Sequence, residues 1–243
     1  MQIFKNDISV SFEEFSEHFP KEAGFLSQVM EIEASCSIHI EKNNKLSVKF
    51  GDFNPISIDI VNILKKHEVF FYKNSIYKDP LARAIGLKKG KPKPSVLDAT
   101  AGMLGDSLLM YAYGVDRLTC CERNPIVACL VQNAIDMADL SINFFHCNSL
   151  EKKILHSDLE QFDVIFYDPM YKEKNNKAAP KKEMAIFREI VGPDDDLGEV
   201  AILLKQRAKE RLVIKRSNKS LPIIKNPSHT ISGKSTSYDV YLS

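Results

Sequence analysis

Apolar positions along the chain follow two regimes that divide near residue 75. Before that point the periods are mixed. Phe12, Phe15 and Phe19 recur at helical spacing, and Phe25, Val29 and Met30 suggest a second helical stretch. Residues 37–41 and 46–50 alternate apolar and polar side chains around Lys42-Asn43-Asn44-Lys45, which predicts a hairpin, and residues 56–60 alternate as a third strand. Residues 1–75 therefore predict a small α+β unit. Residues 70–80, dense in aromatics and lysines, read as a connector, and a short helix follows that ends at Gly86.

From residue 94 onward short apolar runs alternate with helical patterns. Strands are predicted over 96–98, 117–121, 142–146, 163–167, 212–214, 229–232 and 238–242. Helical patterns open at Ser107 and Pro125 and recur at 183–191 and 197–209. Asn124-Pro125 has the form of a helix start, with proline near the first position. Strands that alternate with helices in this way make a doubly wound α/β sheet. Residues 76–243 thus predict a Rossmann-like domain with seven strands, mostly parallel, and the last strand antiparallel.

Composition excludes little but locates the protein. Of 243 residues, 44% are hydrophobic and 27% charged, so a sizeable core is available. No apolar run is long enough for a bilayer. The first residues lack a signal-peptide core, so the expected location is the cytoplasm, with no membrane partner. Cys36, Cys120, Cys121, Cys129 and Cys147 form no C-x-x-C pair, so neither a metal nor a disulfide framework is expected. The net charge of +1 hides an asymmetry. Residues 1–60 hold five lysines against ten acids, and residues 205–243 nine bases against two acids. A polyanion would be met by the C-terminal part.

The chemistry concentrates where strands end. Asp98 closes the first strand, and Ala99-Thr100-Ala101-Gly102-Met103-Leu104-Gly105-Asp106 leads into a helix. This is the place where ligands bind in an open α/β sheet, yet the G-x-G-x-x-G fingerprint is absent. A carboxylate at the strand tip repels a pyrophosphate and attracts an ammonium group, which favours S-adenosylmethionine over NAD. Glu122 ends the second strand 20 residues beyond Gly102, the spacing at which an acid meets a ribose diol. Asn148 leaves the third strand, placed to meet an adenine edge. The fourth strand runs into Asp168-Pro169-Met170-Tyr171. An amine attached to an aromatic ring is a poor nucleophile, because its lone pair is delocalised. A carboxylate that accepts its N–H bond frees that lone pair toward a methyl group, proline stiffens the turn, and the aromatic can stack on an extruded base. Lys172, Lys174, Lys177, Lys181 and Lys182 then make a basic loop suited to a nucleic-acid backbone.

Together the motifs resemble the bacterial small-subunit ribosomal RNA guanine-N2 methyltransferases of the J type, over roughly residues 55–242. The resemblance rests on Asp98-Ala99-Thr100-Ala101-Gly102, Glu122-Arg123-Asn124-Pro125, Asp168-Pro169-Met170-Tyr171, Lys181-Lys182-Glu183-Met184, Val191-Gly192-Pro193-Asp194 and Val213-Ile214-Lys215-Arg216. It implies a class I fold, S-adenosylmethionine as cofactor, and methylation of a guanine amine in 16S rRNA or the small subunit. It places cofactor contacts on Asp98, Gly102, Gly105, Asp106, Glu122, Arg123, Asn148, Ser149 and Asp168. Catalysis falls on Asp168, Pro169 and Tyr171, and RNA contacts on Lys172, Lys174, Lys181, Lys182, Lys215 and Arg216. Where the family usually reads Gly-Leu-Gly-Arg-Asp, this chain has Gly102-Met103-Leu104-Gly105-Asp106. Two other readings stay open: an amine methyltransferase acting on adenine N6 in DNA or on a protein amide, and a non-catalytic RNA-binding assembly factor of the same fold. Met170, where adenine enzymes often carry a second proline, tilts against the first. The intact Asp98, Glu122 and Asp168 set tilts against the second.

Overall fold

The computed structural model describes residues 1–27, 36–73, 75–146, 161–169 and 197–243. The N-terminal part opens with β1 (Gln2–Lys5) and β2 (Ile8–Ser9), joined at Asn6 and Asp7, which both take positive φ (50° and 64°) as a two-residue hairpin turn requires. Helix α1 (Phe12–His18) is capped by Ser11, whose hydroxyl accepts the Glu14 N–H at 3.1 Å. Helix α2 (Pro20–Leu26) starts on proline, and Phe15 stacks on Phe19 with ring centroids 5.0 Å apart. Strands β3 (Cys36–Ile40) and β4 (Leu46–Phe50) form the hairpin predicted from their alternation, with Cys36, Ile38 and Ile40 facing inward. The four strands lie in the order β2-β1-β3-β4, and β1 runs parallel to β3.

The structure corrects two expectations here. Residues 56–60 do not form a strand. Ile56 makes a single bridge to Val48, and Asp59 accepts the Asn62 N–H at 3.0 Å as helix α3 (Ile60–Lys73) begins. Ile58 and Ile60 are buried two residues apart, which imitates strand alternation. The supposed connector at 70–80 is in part the last turn of α3, where Phe71 packs edge-on against Tyr113. Strands β1 and β2, four and two residues long, are too short to show a period in the sequence.

The predicted short helix is α4 (Pro80–Ala84), capped by Asp79, and Gly86 follows it at φ 82°. The left-handed φ favours glycine there, and a Cβ, 2.8 Å from the Arg211 guanidinium, would also displace the end of that side chain. Strand β5 (Val96–Asp98), helix α5 (Gly105–Ala112), β6 (Leu118–Glu122), α6 (Pro125–Ala138), β7 (Asn143–His146), β8 (Val164–Tyr167), α7 (Leu197–Arg207), β9 (Arg211–Ser217), β10 (His229–Ser232) and β11 (Thr236–Leu242) build the main sheet and its helices. The strand order is β10-β11-β9-β8-β5-β6-β7. β5 to β9 are parallel, and β11 runs antiparallel to β9 and to β10. This is the seven-stranded, doubly wound Rossmann-like sheet that the alternation predicts.

Helices cover both faces. On one, α7 sets Val200, Ala201 and Leu204 against Leu97, Ile165, Leu212, Ile214 and Tyr241. On the other, Leu108 and Met110 of α5 and Val127 and Leu130 of α6 cover Val96, Cys120, Val164, Phe166 and Val213. That second core continues into the N-terminal part through Phe15, Leu26 and Ile38. Polar contacts fix the join. Asn133 of α6 accepts the Leu46 N–H at 2.9 Å and donates to the Asn44 carbonyl at 3.1 Å, and Lys21 pairs with Asp136 at 2.8 Å. The carboxyl ends of β5, β6 and β8 lie side by side, with the first turn of α5 and β9 joined beside them through Lys215.

Candidate functional site

Asp98 ends β5 and is 1% exposed. Its carboxylate accepts the Thr100 N–H at 3.1 Å and the Ser107 hydroxyl, so it braces the turn that follows. Burial lifts this carboxyl to about 7, against the Ser107 and Thr100 donors and with Asp106 and Asp168 adding to the rise. The turn is tied to both neighbouring strands. Ala99 N–H donates to the Phe166 carbonyl at 2.9 Å and Ala101 N–H to the Cys121 carbonyl at 2.8 Å. Gly102 has φ 50° and donates its N–H to Glu122 Oε2 at 2.9 Å. Leu104, at φ 64°, precedes α5 in the left-handed region, and the space beside Gly105 is open.

Glu122 ends β6 with both carboxylate oxygens held, Oε2 by Gly102 and Oε1 by the Asn124 N–H at 2.8 Å. Burial raises its carboxyl, opposed by those two amides. Backbone amides of Gly102, Asn124 and Arg123 thus hold the carboxylate in one orientation, with acceptor capacity left for a hydroxyl. Asn124 caps α6 through the N–H groups of Ile126 and Val127, with Pro125 at its first position. The Arg123 carbonyl lies 3.0 Å from His146 Nε2 at the end of β7.

Asp168 follows β8 directly. Its N–H donates to Thr100 Oγ1 at 2.7 Å, which locks the strand exit to the β5 turn. Its Oδ2 lies 2.8 Å from Lys215 Nζ, and the same ammonium lies 2.6 Å from Asp106 Oδ2 in the first turn of α5. Sheet register explains the meeting. Phe166 lies opposite Val213 and Tyr167 opposite Ile214, so the next inward pair is Asp168 and Lys215. Burial lifts Asp168 to about 6 while Lys215 pulls it down and Asp106 pushes it up. The two carboxylates in turn hold the Lys215 ammonium above the ordinary lysine value, overcoming the lowering effect of burial.

The structure thus brings Asp98, Gly102, Gly105, Asp106, Glu122, Arg123 and Asp168 to the carboxyl ends of three neighbouring strands and the start of α5, with Pro169 following. Asn148, Ser149, Tyr171, Lys172, Lys174, Lys181 and Lys182 lie outside the described residues. Two basic residues need correction. Strand β9 continues through Ser217, so Lys215 and Arg216 belong to a strand rather than to its exit. Lys215 lies between the Asp106 and Asp168 carboxylates. Arg216 is a structural residue: it grips Asp239, which is wholly buried, through Nε (2.6 Å) and Nη2 (3.0 Å), and donates to the Ser220 carbonyl at 2.8 Å. Thr100 and Ser107 were missed. Hydroxyls in a turn are too common to single out, and only the register shows what they hold.

The acids fit S-adenosylmethionine by the chemistry of their donors and acceptors. Asp106 and Asp168 can take its ammonium, and Glu122 its ribose hydroxyls. Among the described residues no group of three or more His, Cys, Asp or Glu could hold a metal, and no helix is long and apolar enough to cross a membrane. Residues 26–243 match the family model described as "Putative SAM-dependent methyltransferase". The chain is 39% identical over 171 residues to ribosomal RNA small subunit methyltransferase J of Coxiella burnetii, covering 67% of this chain and 65% of that protein. It is 36% identical over 178 residues to the protein of the same name from Thioalkalivibrio sulfidiphilus, covering 69% of each. A crystal structure of a SAM-dependent methyltransferase from Neisseria gonorrhoeae superposes with a TM-score of 0.66 at 22% identity, over 99% of this chain and 95% of that one. The last likeness bears on the fold alone. The sequence matches, joined to a sheet whose acids stand at the ends of β5, β6 and β8, place this chain in the SAM-dependent methyltransferase family, with the proteins named ribosomal RNA small subunit methyltransferase J among its relatives.

Proposed function

We propose that this protein transfers a methyl group to the exocyclic N2 amine of a guanosine in 16S rRNA, on naked RNA or on the small subunit, in the cytoplasm. The observation that carries the reading is the placement of Asp168. It leaves β8 beside the acids suited to the cofactor, anchored by Thr100 and Lys215. The names of the relatives supply the substrate class. Bound S-adenosylmethionine supplies a methyl group on a sulfonium sulfur, and its sulfur leaves as a neutral thioether. Asp168 accepts one N–H of the guanine amine and so turns the nitrogen lone pair toward that carbon, while Glu122 and Asp106 fix the cofactor. Pro169 keeps the strand exit rigid, and Tyr171 stacks on the base. The proton released from the methylated nitrogen passes to water. Positioning and the Asp168 charge, rather than a covalent intermediate, lower the barrier. In this reading Asn148 and Ser149 complete the adenine end of the site, and Lys172, Lys174, Lys181 and Lys182 hold the RNA. Residues 1–75 form an appendage to a catalytic domain over 76–243.

Incubation with methyl-labelled cofactor and rRNA, small subunits or DNA tests the substrate. Label is expected in 16S rRNA as N2-methylguanosine. Label in DNA adenine, or in none of these, would exclude the reading. Asp168→Ala should reduce turnover at saturating cofactor by about a hundredfold or more, the scale of one transition-state hydrogen bond, and Asp168→Asn by less. RNA affinity should stay at the parent value in both.

A further inference from the structure

Three carboxylates, Asp98, Asp106 and Asp168, gather at the carboxyl ends of β5 and β8 and the start of α5. Among the described residues the ion pairs in this cluster run through one cation, Lys215, which bridges Asp106 and Asp168 at 2.6 and 2.8 Å. A salt bridge of this kind stabilises a fold weakly at best, because two partly buried charges lose most of what they gain by pairing. An outward-facing phosphate contact does not suit it either, since β9 directs the side chain inward opposite Asp168.

We propose that Lys215 is the positioning residue of the methyl-transfer centre, holding the Asp168 carboxylate charged and in one orientation without itself touching the base. This rests on the role given to Asp168 above. Among the described residues, the groups that face Asp168 are Asp106 from α5, Asp98 from β5, Lys215 from β9, Tyr238 from β11 and the Thr100 hydroxyl from the β5 turn. Without Lys215, burial and Asp106 both favour the protonated acid. A protonated Asp168 would offer an O–H to the amine lone pair and oppose the attack that the carboxylate assists. Lys215 keeps that state in the minority at neutral pH. The Thr100 contact fixes the Asp168 backbone, and Lys215 fixes the end of its side chain, so the acceptor has two independent anchors.

The test uses Lys215→Met and Lys215→Arg in the full chain, with folding checked by circular dichroism. Two quantities are read: the Asp168 carboxyl titration by carbon-13 NMR on the protein alone, with Asp168→Asn giving the assignment, and the pH profile of single-turnover methyl transfer at saturating cofactor. In Lys215→Met the titration should move up by about one to three pH units. The transfer rate at pH 7 should fall, by roughly tenfold for each unit that the titration point moves above pH 7, and recover at higher pH. Lys215→Arg should keep both near the parent values. An unmoved Asp168 titration in Lys215→Met would overturn the proposal, as would a rate loss that high pH does not restore. If Lys215→Met does not fold, Asp106→Asn gives the converse reading. Relieved of one repulsion, Asp168 should titrate lower, and a higher value would count against the scheme. The titration needs no RNA, so a parent protein inactive on rRNA would remove the proposed function while leaving Lys215 to be decided by NMR.

Discussion

Leu104 is fully buried yet sits at φ 64°, where the family pattern has glycine. A left-handed leucine costs about 1–2 kcal/mol in backbone strain. Its side chain fills the core beneath α5, and removing a buried leucine costs about 2–5 kcal/mol. The packing term is the larger. Leu104→Gly should therefore destabilise the protein by about 1–3 kcal/mol in urea denaturation, even though it restores the family's residue. A gain in stability would show that strain outweighs packing at this turn. The residue scale also shows what a sequence conceals. Asp98, Glu122 and Asp168 were legible because parallel strands, buried on both faces, read as continuous apolar runs that stop at a charged residue. The setting of Lys215 was not, because it depends on which strand lies beside β8 and in what register. Arg216 misled for the same reason: its partner Asp239 lies 23 residues on, across an antiparallel pair.

At the scale of elements, short pieces and shared surfaces were the hard part. β1 and β2 are four and two residues long, below any usable period. The alternation at 56–60 was real, but it reflected a single bridge and a helix start rather than a strand. Helix α6 was predicted from its cap and apolar stripe, though not that its outer face carries the N-terminal sheet. Asn133 is the polar link of that join. Asn133→Ala would leave the buried Leu46 N–H without its acceptor, at a cost of about 1–3 kcal/mol. Hydrogen exchange at the Leu46 amide should quicken in this variant. Exchange at the parent rate would mean that the apolar contacts alone hold the two parts together.

For the whole molecule, the buried acids make stability depend on pH. In the folded protein Asp98 titrates at about 7, and in the unfolded chain near the ordinary aspartate value of about 4. Between those limits the folded state binds more protons, so stability falls as pH rises from about 4 to 7 and levels off above. Asp168, at about 6, acts in the same direction over a narrower window. Asp98→Asn removes the larger contribution. The melting temperature of the unliganded protein should then differ less between pH 5 and pH 8, at about 2–4 °C for each kcal/mol removed. S-adenosylmethionine, with its two positive charges, should narrow the same gap in the parent protein. An unchanged gap in Asp98→Asn would mean that Asp98 stays charged across this range.

The core that runs from Phe15, Leu26 and Ile38 across to Val127 and Leu130 also has a consequence in time. Synthesis proceeds from the N-terminus at about 5–20 residues per second, so α6 is completed roughly 5–20 seconds after β4 leaves the ribosome. For that interval the part of this core that α6 covers stays exposed. The nascent chain must wait for a helix completed nearly 90 residues later. Slowing translation between β4 and α6 should therefore lower the yield of soluble protein more than an equal delay placed after α6.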